Sequence, residues 1–84
     1  FISIDAIDSE FGCSITNNDE VHTKKTMIAN SHKTVIIADH SKFETVASWK
    51  VCPLDEIDLF ITGKELEEDI QEYYKKMDFK VKTV

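Results

Sequence analysis

Carboxylates and lysines that could bind a polar ligand recur in three short stretches of this 84-residue sequence. Asp5 ends an apolar stretch, Glu20 and Lys24 stand one helical turn apart, and Asp39 and Lys42 follow a β-branched stretch. Carboxylates accept hydrogen bonds from sugar hydroxyls, and ammonium groups complement the charge of a phosphate. These residue types therefore favour a polyol that carries a phosphate.

Some of these polar residues also have an ordinary structural explanation. Asp8 is followed by Ser, Glu, Phe and Gly, and it fits a residue that opens a turn as well as it fits a ligand-binding residue. Glu20 and Lys24 have the spacing of a surface ion pair worth roughly 0.2–0.5 kcal/mol. Asp39 differs because a carboxylate at the end of a buried strand needs a partner, and Lys42 is the nearest cation after it. We therefore expect Asp39 and Lys42 to be the pair most important for function.

Apolar stretches of four to seven residues predict the strands that position these side chains. Lys33–Asp39 is β-branched without alternation, which is typical of an interior parallel strand covered on both faces. Phe1–Asp5 and Ile57–Thr62 have the same character, whereas Phe79–Val84 alternates as an edge strand does. A short additional strand is predicted at Ala47–Cys52, where the following proline ends it.

The first of two predicted helices begins near Asn17 and ends near Asn30. Glu20, three residues after Asn17, indicates a capping box, in which the two side chains satisfy free backbone amides. Val21 and Ile28 give this helix one apolar face.

The second predicted helix begins at Thr62, again with an acid three residues later at Glu65. Acidic residues dominate its first half and lysines its last turn, which complements the helix dipole. The alternation of strands and helices predicts an α/β fold with a mainly parallel sheet flanked by helices, in which ligands bind beyond the carboxyl ends of the strands. The apolar residues of this helix, at helical spacing, are Leu66, Ile70, Tyr73, Tyr74 and Met77.

The composition limits the kinds of partner that the chain can bind. A net charge of −6 argues against direct contact with nucleic acid phosphates, and no apolar stretch is long enough to cross a membrane. Cys13 and Cys52 have no metal-binding or redox spacing, so reduced thiols and a cytoplasmic location are favoured. His22, His32 and His40 are too scattered to suggest a metal site, and no cofactor motif is present.

A series of short motifs extends over almost the whole chain in a fixed order. It comprises FISIDAIDSEFG at 1–12, Glu20 with Lys24, MI at 27–28, ADHSKF at 38–43, VCPLDEID at 51–58 and IT at 61–62. This series resembles the effector domain of DeoR-family transcriptional repressors. In that family an amino-terminal winged helix-turn-helix binds operator DNA, and the carboxy-terminal domain binds a phosphorylated sugar and oligomerises.

The resemblance implies a fold like that of ribose-5-phosphate isomerase, glucosamine-6-phosphate deaminase and the coenzyme A transferases. It implies that residues 1–84 are the carboxy-terminal portion of one effector domain, without the winged helix-turn-helix and the first half of that domain. It also implies a homo-oligomer that binds operator DNA only through the absent part. By position, the family's polar pocket residues correspond to Asp5, Glu20, Lys24, Asp39 and Lys42.

Four positions depart from the family's usual residues. Ser3 and Ala6 stand where glycines are usual, Glu44 stands where a glycine follows the Lys-Phe pair, and Gly63 stands where an Asp is usual. Added side chains near the first strand are expected to narrow the pocket.

Two other functions remain open at the level of sequence. A sugar-phosphate isomerase or deaminase fragment would use Asp5 or Asp8 as a general base, although no acid pairs with them. An oligomerisation module with a degenerate pocket would explain the missing glycines. The favoured prediction is the sensor domain of a sugar-operon repressor, which is not an enzyme.

Overall fold

Residues 2–84 are described by a computed structural model, in which they form two β-sheets, two α-helices and three short 3-10 turns. The α-helices are α1 (Val21–Ala29) and α2 (Glu68–Lys76). The strands are β1 (Ile2–Ser3), β2 (Ala6–Asp8), β3 (Gly12–Ile15), β4 (Val35–Ile37), β5 (Trp49–Cys52), β6 (Leu59–Thr62) and β7 (Val81–Thr83).

Four strands form a parallel sheet in the order β1-β4-β6-β7. Strand β4 lies between two neighbours and β7 lies at an edge, so the predicted interior strand and the predicted edge strand are confirmed. The α/β fold with a mainly parallel sheet is therefore confirmed. Phe1, the first residue of the predicted strand Phe1–Asp5, lies outside the described residues, and the strand itself ends at Ser3.

A second, antiparallel sheet in the order β2-β3-β5 was not predicted as a separate layer. The turn between β2 and β3 is held by Asp8, whose carboxylate accepts hydrogen bonds from the backbone N–H groups of Glu10 and Phe11 at 3.0 and 2.8 Å. Gly12 has φ +94°, where an added Cβ would overlap the carbonyl oxygen of Cys52. The predicted short strand at 47–52 exists from Trp49 onward but pairs with β3, not with the parallel sheet.

The two faces of the parallel sheet differ in burial. On one face Ile36 and Phe60 are 0% and 1% exposed, and Tyr74 of α2 packs near them in a cluster of edge-to-face aromatic contacts centred on Phe43. On the other face Ile37 is 48% exposed. The prediction that β4 is covered on both faces is thus wrong for residues 2–84, because Ile37 on the second face is only about half covered.

The first helix differs from its prediction mainly in its capping. A 3-10 turn at Asn18–Glu20 precedes α1, and the Asn17 side chain accepts from the Asp19 N–H at 2.9 Å. Glu20 makes no capping hydrogen bond. Asn17 therefore caps as expected, but the reciprocal half of the capping box does not form.

The second helix begins six residues later than predicted. Thr62 is the last residue of β6, where it is paired with Thr83 and its carbonyl accepts from Val84 N–H at 2.9 Å. Pairing with β7 therefore extends the strand through Thr62, and α2 begins only at Glu68. Neither helix among residues 2–84 is long and apolar enough to span a bilayer.

Candidate functional site

Two predicted site residues occupy equivalent positions on neighbouring strands. Ser3, the last residue of β1, is in register with Ile37, the last residue of β4, and the two strands are parallel. Asp5 and Asp39 each stand two residues further on, so both lie beyond the carboxyl edge of the sheet. This edge is where ligands bind in parallel sheets, because loops and helix termini converge there.

Asp5 is held by the segment that follows β3. Its carboxylate accepts from Thr16 twice, from the backbone N–H at 2.8 Å and from the hydroxyl at 3.1 Å. The backbone hydrogen bond is the largest cause of a lowered pKa at Asp5. Burial opposes this shift, and the Thr16 hydroxyl, Lys42 and Lys24 lower the pKa further. Asp5 is therefore a fixed carboxylate with two ammonium groups near it.

Lys24 reaches from α1 to the end of β1. Its ammonium group donates to the carbonyl oxygen of Ser3 at 2.8 Å and lies 3.9 Å from the carboxylate of Glu20. Its side chain is only 14% exposed, whereas that of Glu20 is 55% exposed. The predicted pairing of Glu20 with Lys24 is present, but Lys24 is directed to the strand end and is not an ordinary surface lysine.

Asp39 has a different environment from the one expected. Its side chain is 60% exposed, and its oxygens accept from the Ser41 hydroxyl at 2.6 Å and contact the His40 ring at 3.2 Å. The hydrogen bond from Ser41 is the main cause of the lowered pKa of Asp39, with His40 contributing less. Within residues 2–84 no ion pair joins Asp39 to Lys42. The expectation of a buried Asp39 that depends on Lys42 is wrong, because the strand end is open to solvent.

The structure thus gathers Asp5, Glu20, Lys24 and Lys42 around the end of β1, with Asp39 at the end of the adjacent strand. Half-buried ammonium groups beside a fixed carboxylate can bind a phosphate and a sugar hydroxyl together. Among the described residues no group of three or more His, Cys, Asp or Glu side chains has an arrangement that could hold a metal ion.

Two residues near this edge were not singled out as site residues from sequence. Thr16 carried no signal, since it lies in a polar loop and meets Asp5 only through the fold. Thr62, at the carboxyl end of β6 beside β4, is buried, and its hydroxyl has no hydrogen-bond partner among residues 2–84. The rule that picks out strand ends could have identified Thr62, because the predicted strand Ile57–Thr62 ends at this residue.

Glu44, which stands where the family resemblance implies a glycine, has a strained backbone conformation. Glu44 has φ +59°, a left-handed conformation that glycine adopts without strain. It lies directly after Phe43, whose ring packs in the core. The chain keeps the backbone turn that a glycine would favour but supplies a side chain there.

A surface cleft lies away from this edge, near the end of α2. It has a volume of about 330 Å³ and is lined by residues from the end of α2 to the start of β7, namely Lys75, Asp78, Phe79, Lys80 and Val81. Because β7 is parallel to its neighbours, this cleft is at the amino end of the sheet. Parallel sheets bind ligands at the carboxyl edge, so we place the candidate site at the end of β1 and not in this cleft.

The family model of the DeoR C terminal sensor domain matches residues 1–64, which is more than half of the chain. The chain belongs to the DeoR family and comprises C-terminal sensor domain sequence of that family. The match includes β1 to β6 and every predicted site residue.

Individual relatives are transcriptional regulators. The chain is 38% identical over 72 residues to the HTH-type transcriptional regulator GlpR of Haloferax volcanii, covering 86% of this chain and 28% of that protein. It is 30% identical over 81 residues to the putative aga operon transcriptional repressor of Escherichia coli O157:H7, covering 96% and 30%. It is 31% identical over 80 residues to the glycerol-3-phosphate regulon repressor of Haemophilus influenzae, covering 95% and 31%.

These relatives are transcriptional regulators, and the family model that matches the chain is that of a sensor domain. The isomerase or deaminase alternative is therefore not supported. The chain spans about three tenths of the length of the curated relatives that it matches.

Proposed function

We propose that this chain is the effector-binding part of a DeoR-type repressor of a sugar-metabolism operon, and that its effector is a phosphorylated sugar. The observation that carries the proposal is the convergence of Asp5, Lys24 and Lys42 at the carboxyl end of β1. In this arrangement Lys42 and Lys24 meet the phosphate and Asp5 accepts from a sugar hydroxyl. Asp39, which has an exposed carboxylate, accepts from a second hydroxyl, and Glu20 orients Lys24.

The physical basis of this assignment is preorganisation. Lys24 is held by Ser3 and Asp5 is held by Thr16, so both groups are positioned before a ligand arrives. A side chain that is already fixed loses little entropy when it binds. Effector binding would then shift the balance between an operator-bound and a released arrangement of the repressor.

The test is a thermal-shift screen of phosphorylated sugars on the complete gene product, followed by titration of the best ligand. Removal of a hydrogen bond to a charged group costs about 1.5–3 kcal/mol, so Lys42→Ala is expected to weaken binding by roughly 10- to 150-fold. Lys33→Ala is the matched control because Lys33, just before β4, lies at the opposite edge of the sheet. Unchanged affinity in a folded Lys42→Ala variant would remove Lys42 from the site.

We also propose that operator DNA is bound through residues outside this chain. The supporting observation is the net charge of −6, which gives little attraction for a phosphate backbone. The isolated 84 residues should therefore produce no salt-dependent shift of operator DNA in a gel assay. This part of the proposal places the repressor in the cytoplasm with its operator.

Association of the chain with itself is the last part of the proposal. Ile37, Trp49 and Val46 are 48%, 45% and 58% exposed, so these apolar side chains offer surface that association could bury. Light scattering should show a homo-oligomer at micromolar concentration. A stable monomer up to millimolar concentration would contradict this part of the proposal and leave the effector site unaffected.

A further inference from the structure

The two cysteines of the chain face each other across the antiparallel sheet. Cys13 of β3 is directly opposite Cys52 of β5, and both are free thiols. Residues directly opposite in antiparallel strands have Cα atoms about 4.5–5.5 Å apart, within the range of about 4.4–6.8 Å found for disulfides. A disulfide between these residues would therefore require little movement of the backbone.

Burial isolates this pair from large reagents. Cys13 is 0% exposed and Cys52 is 4% exposed, and both belong to the hydrophobic core. A bulky thiol reagent or another protein cannot reach either sulfur in the folded chain, so an oxidant of this pair must be small. The only nearby thiol for each cysteine, among the described residues, is the other member of the pair.

The two thiols are chemically unequal. The neighbouring Cys13 thiol is the largest cause of a lowered pKa at Cys52, and Lys50 lowers it further, while burial and the acids Asp55 and Glu56 oppose the shift. The neighbouring Cys52, together with burial, raises the pKa of Cys13. Cys52 is therefore the member that forms a thiolate, and the thiolate is the nucleophile in cysteine oxidation.

The strand that carries Cys13 also supports the candidate site. Thr16, which holds the Asp5 carboxylate, lies just after the end of β3. Ser14, next to Cys13, is fully buried, and its hydroxyl accepts from the Ala47 N–H at 2.9 Å. A covalent link between β3 and β5 would fix this segment relative to Asp5.

We propose that Cys13 and Cys52 form a reversible intramolecular disulfide when the protein meets hydrogen peroxide, so that this sheet is a redox-modified element beside the effector site. The Cys52 thiolate attacks one peroxide oxygen, the O–O bond breaks, and Cys52 sulfenic acid and hydroxide form. The proton that Cys52 released on becoming a thiolate converts the hydroxide to water. The Cys13 sulfur then attacks the Cys52 sulfur, the S–O bond breaks, and a second water leaves. Two thiols lose two electrons in total, and the peroxide gains them. A dithiol reductant reverses the reaction.

The first experiment identifies the product. The complete gene product is reduced, freed of reductant, treated with hydrogen peroxide, alkylated under denaturing conditions and digested without reduction for mass spectrometry. The expected result is one peptide pair linked through Cys13 and Cys52, lost on treatment with dithiothreitol. Alkylation of both cysteines after a peroxide dose that oxidises an exposed control thiol would overturn the proposal, as would sulfinic acid at Cys52 without the link.

The second experiment measures the consequence and separates the two roles. The link closes a loop of about 40 residues, so the oxidised protein is expected to melt about 10 °C or more above the reduced protein. Cys13→Ser should allow sulfenic acid to be trapped at Cys52 by dimedone, whereas Cys52→Ser should leave Cys13 unreactive. If a serine variant does not fold, Lys50→Ala provides the second test, because loss of this exposed cation should slow oxidation at least about twofold. An oxidation rate unchanged by Lys50→Ala, or an oxidised form that melts no higher than the reduced form, would contradict the proposed chemistry.

Discussion

Asp5 and Asp39 stand at equivalent positions of neighbouring parallel strands, and their surroundings differ. Asp5 is bonded to Thr16, which is eleven residues away in sequence and belongs to the segment leaving the antiparallel sheet. The Asp39 carboxylate interacts with the side chains of His40 and Ser41, which follow it in sequence, and it is 60% exposed. Strand topology places both carboxylates at the same edge, but only contacts between distant segments fix one of them. We therefore assign the preorganised part of the site to Asp5, and the adaptable part to Asp39.

The largest expected effect comes from breaking the hairpin that supports Asp5. Gly12→Ala adds a methyl group that overlaps the Cys52 carbonyl at a φ of +94°, and we expect a loss of about 2–4 kcal/mol in the free energy of unfolding. Urea denaturation measures this loss. Gly63→Ala is the matched control, because its methyl group would meet only the flexible side chain of Glu65. Equal losses in the two variants would show that the hairpin is not the sensitive element.

Removal of the two carboxylates tests the comparison directly. Asp5→Ala deletes the acceptor for the Thr16 N–H and hydroxyl, so we expect a loss of about 1 kcal/mol, kept small because solvent screens this exposed group. Asp39→Ala should cost clearly less, since its partners are adjacent residues that water can satisfy. Chemical denaturation of both variants at neutral pH gives the two values. A larger loss for Asp39→Ala would reverse our assignment of the fixed and the adaptable carboxylate.

The pKa of Asp39 should depend on a single neighbouring side chain more strongly than the pKa of Asp5 does. Ser41→Ala removes the main cause of the lowered pKa of Asp39 and should raise it toward 3.8, leaving Asp5 unchanged. Thr16→Ala should raise the pKa of Asp5 only in part, because the backbone N–H of residue 16 remains. Carboxyl NMR titrations measure both values.

These pKa values also set the direction of the pH dependence. Because the folded-state pKa of each carboxyl lies below its ordinary value of 3.8, the contribution to stability is present above pH 3.8 and lost as the pH falls below it. Asp5→Asn should therefore flatten the acid side of the stability curve. An unchanged acid transition in Asp5→Asn would contradict the lowered pKa.

The smallest expected effect is a gain in stability. Glu44→Gly relieves a left-handed backbone conformation at φ +59°, and we expect about 0.5–1 kcal/mol of added stability. Asp78→Gly, at φ +66°, should gain less because aspartate tolerates this conformation better than glutamate. Thermal unfolding of the two variants gives the ranking. A loss of stability in Glu44→Gly would mean that the glutamate side chain makes a contribution larger than its backbone strain.

The parallel sheet was predictable because its signals are local. The β-branched stretch around Ile36 and the alternation before Val84 each identify a strand without reference to the rest of the chain. The β2–β3 hairpin was missed because each strand is only three or four residues long and Gly12-Cys13-Ser14 has weak strand character. The end of the strand at Thr62 was predicted correctly, but the second helix was started there and not at Glu68, because no local signal separates the loop after Thr62 from the helix.

The location of the candidate site could be predicted from the sequence, but its side-chain contacts could not. The rule for strand ends located Asp5 and Asp39, and the resemblance to the family added Glu20, Lys24 and Lys42. The hydrogen bonds from Thr16 to Asp5 depend on how the antiparallel sheet packs, and so does the exposure of Asp39. A local sequence pattern does not contain this information. Burial of Asp39 was inferred from its strand, and Ile37 shows that this strand is open on one face.

The central claim is that the end of β1 recognises a phosphate through Lys42 and Lys24. The most direct test is isothermal titration of the complete gene product with one sugar in its phosphorylated and unphosphorylated forms, using wild type, Lys42→Ala and the Lys33→Ala control. We predict that Lys42→Ala loses roughly 10- to 150-fold in affinity for the phosphorylated sugar and much less for the free sugar, while Lys33→Ala loses neither. An equal loss for both ligands, or no loss for either, would contradict a phosphate site at this edge of the sheet.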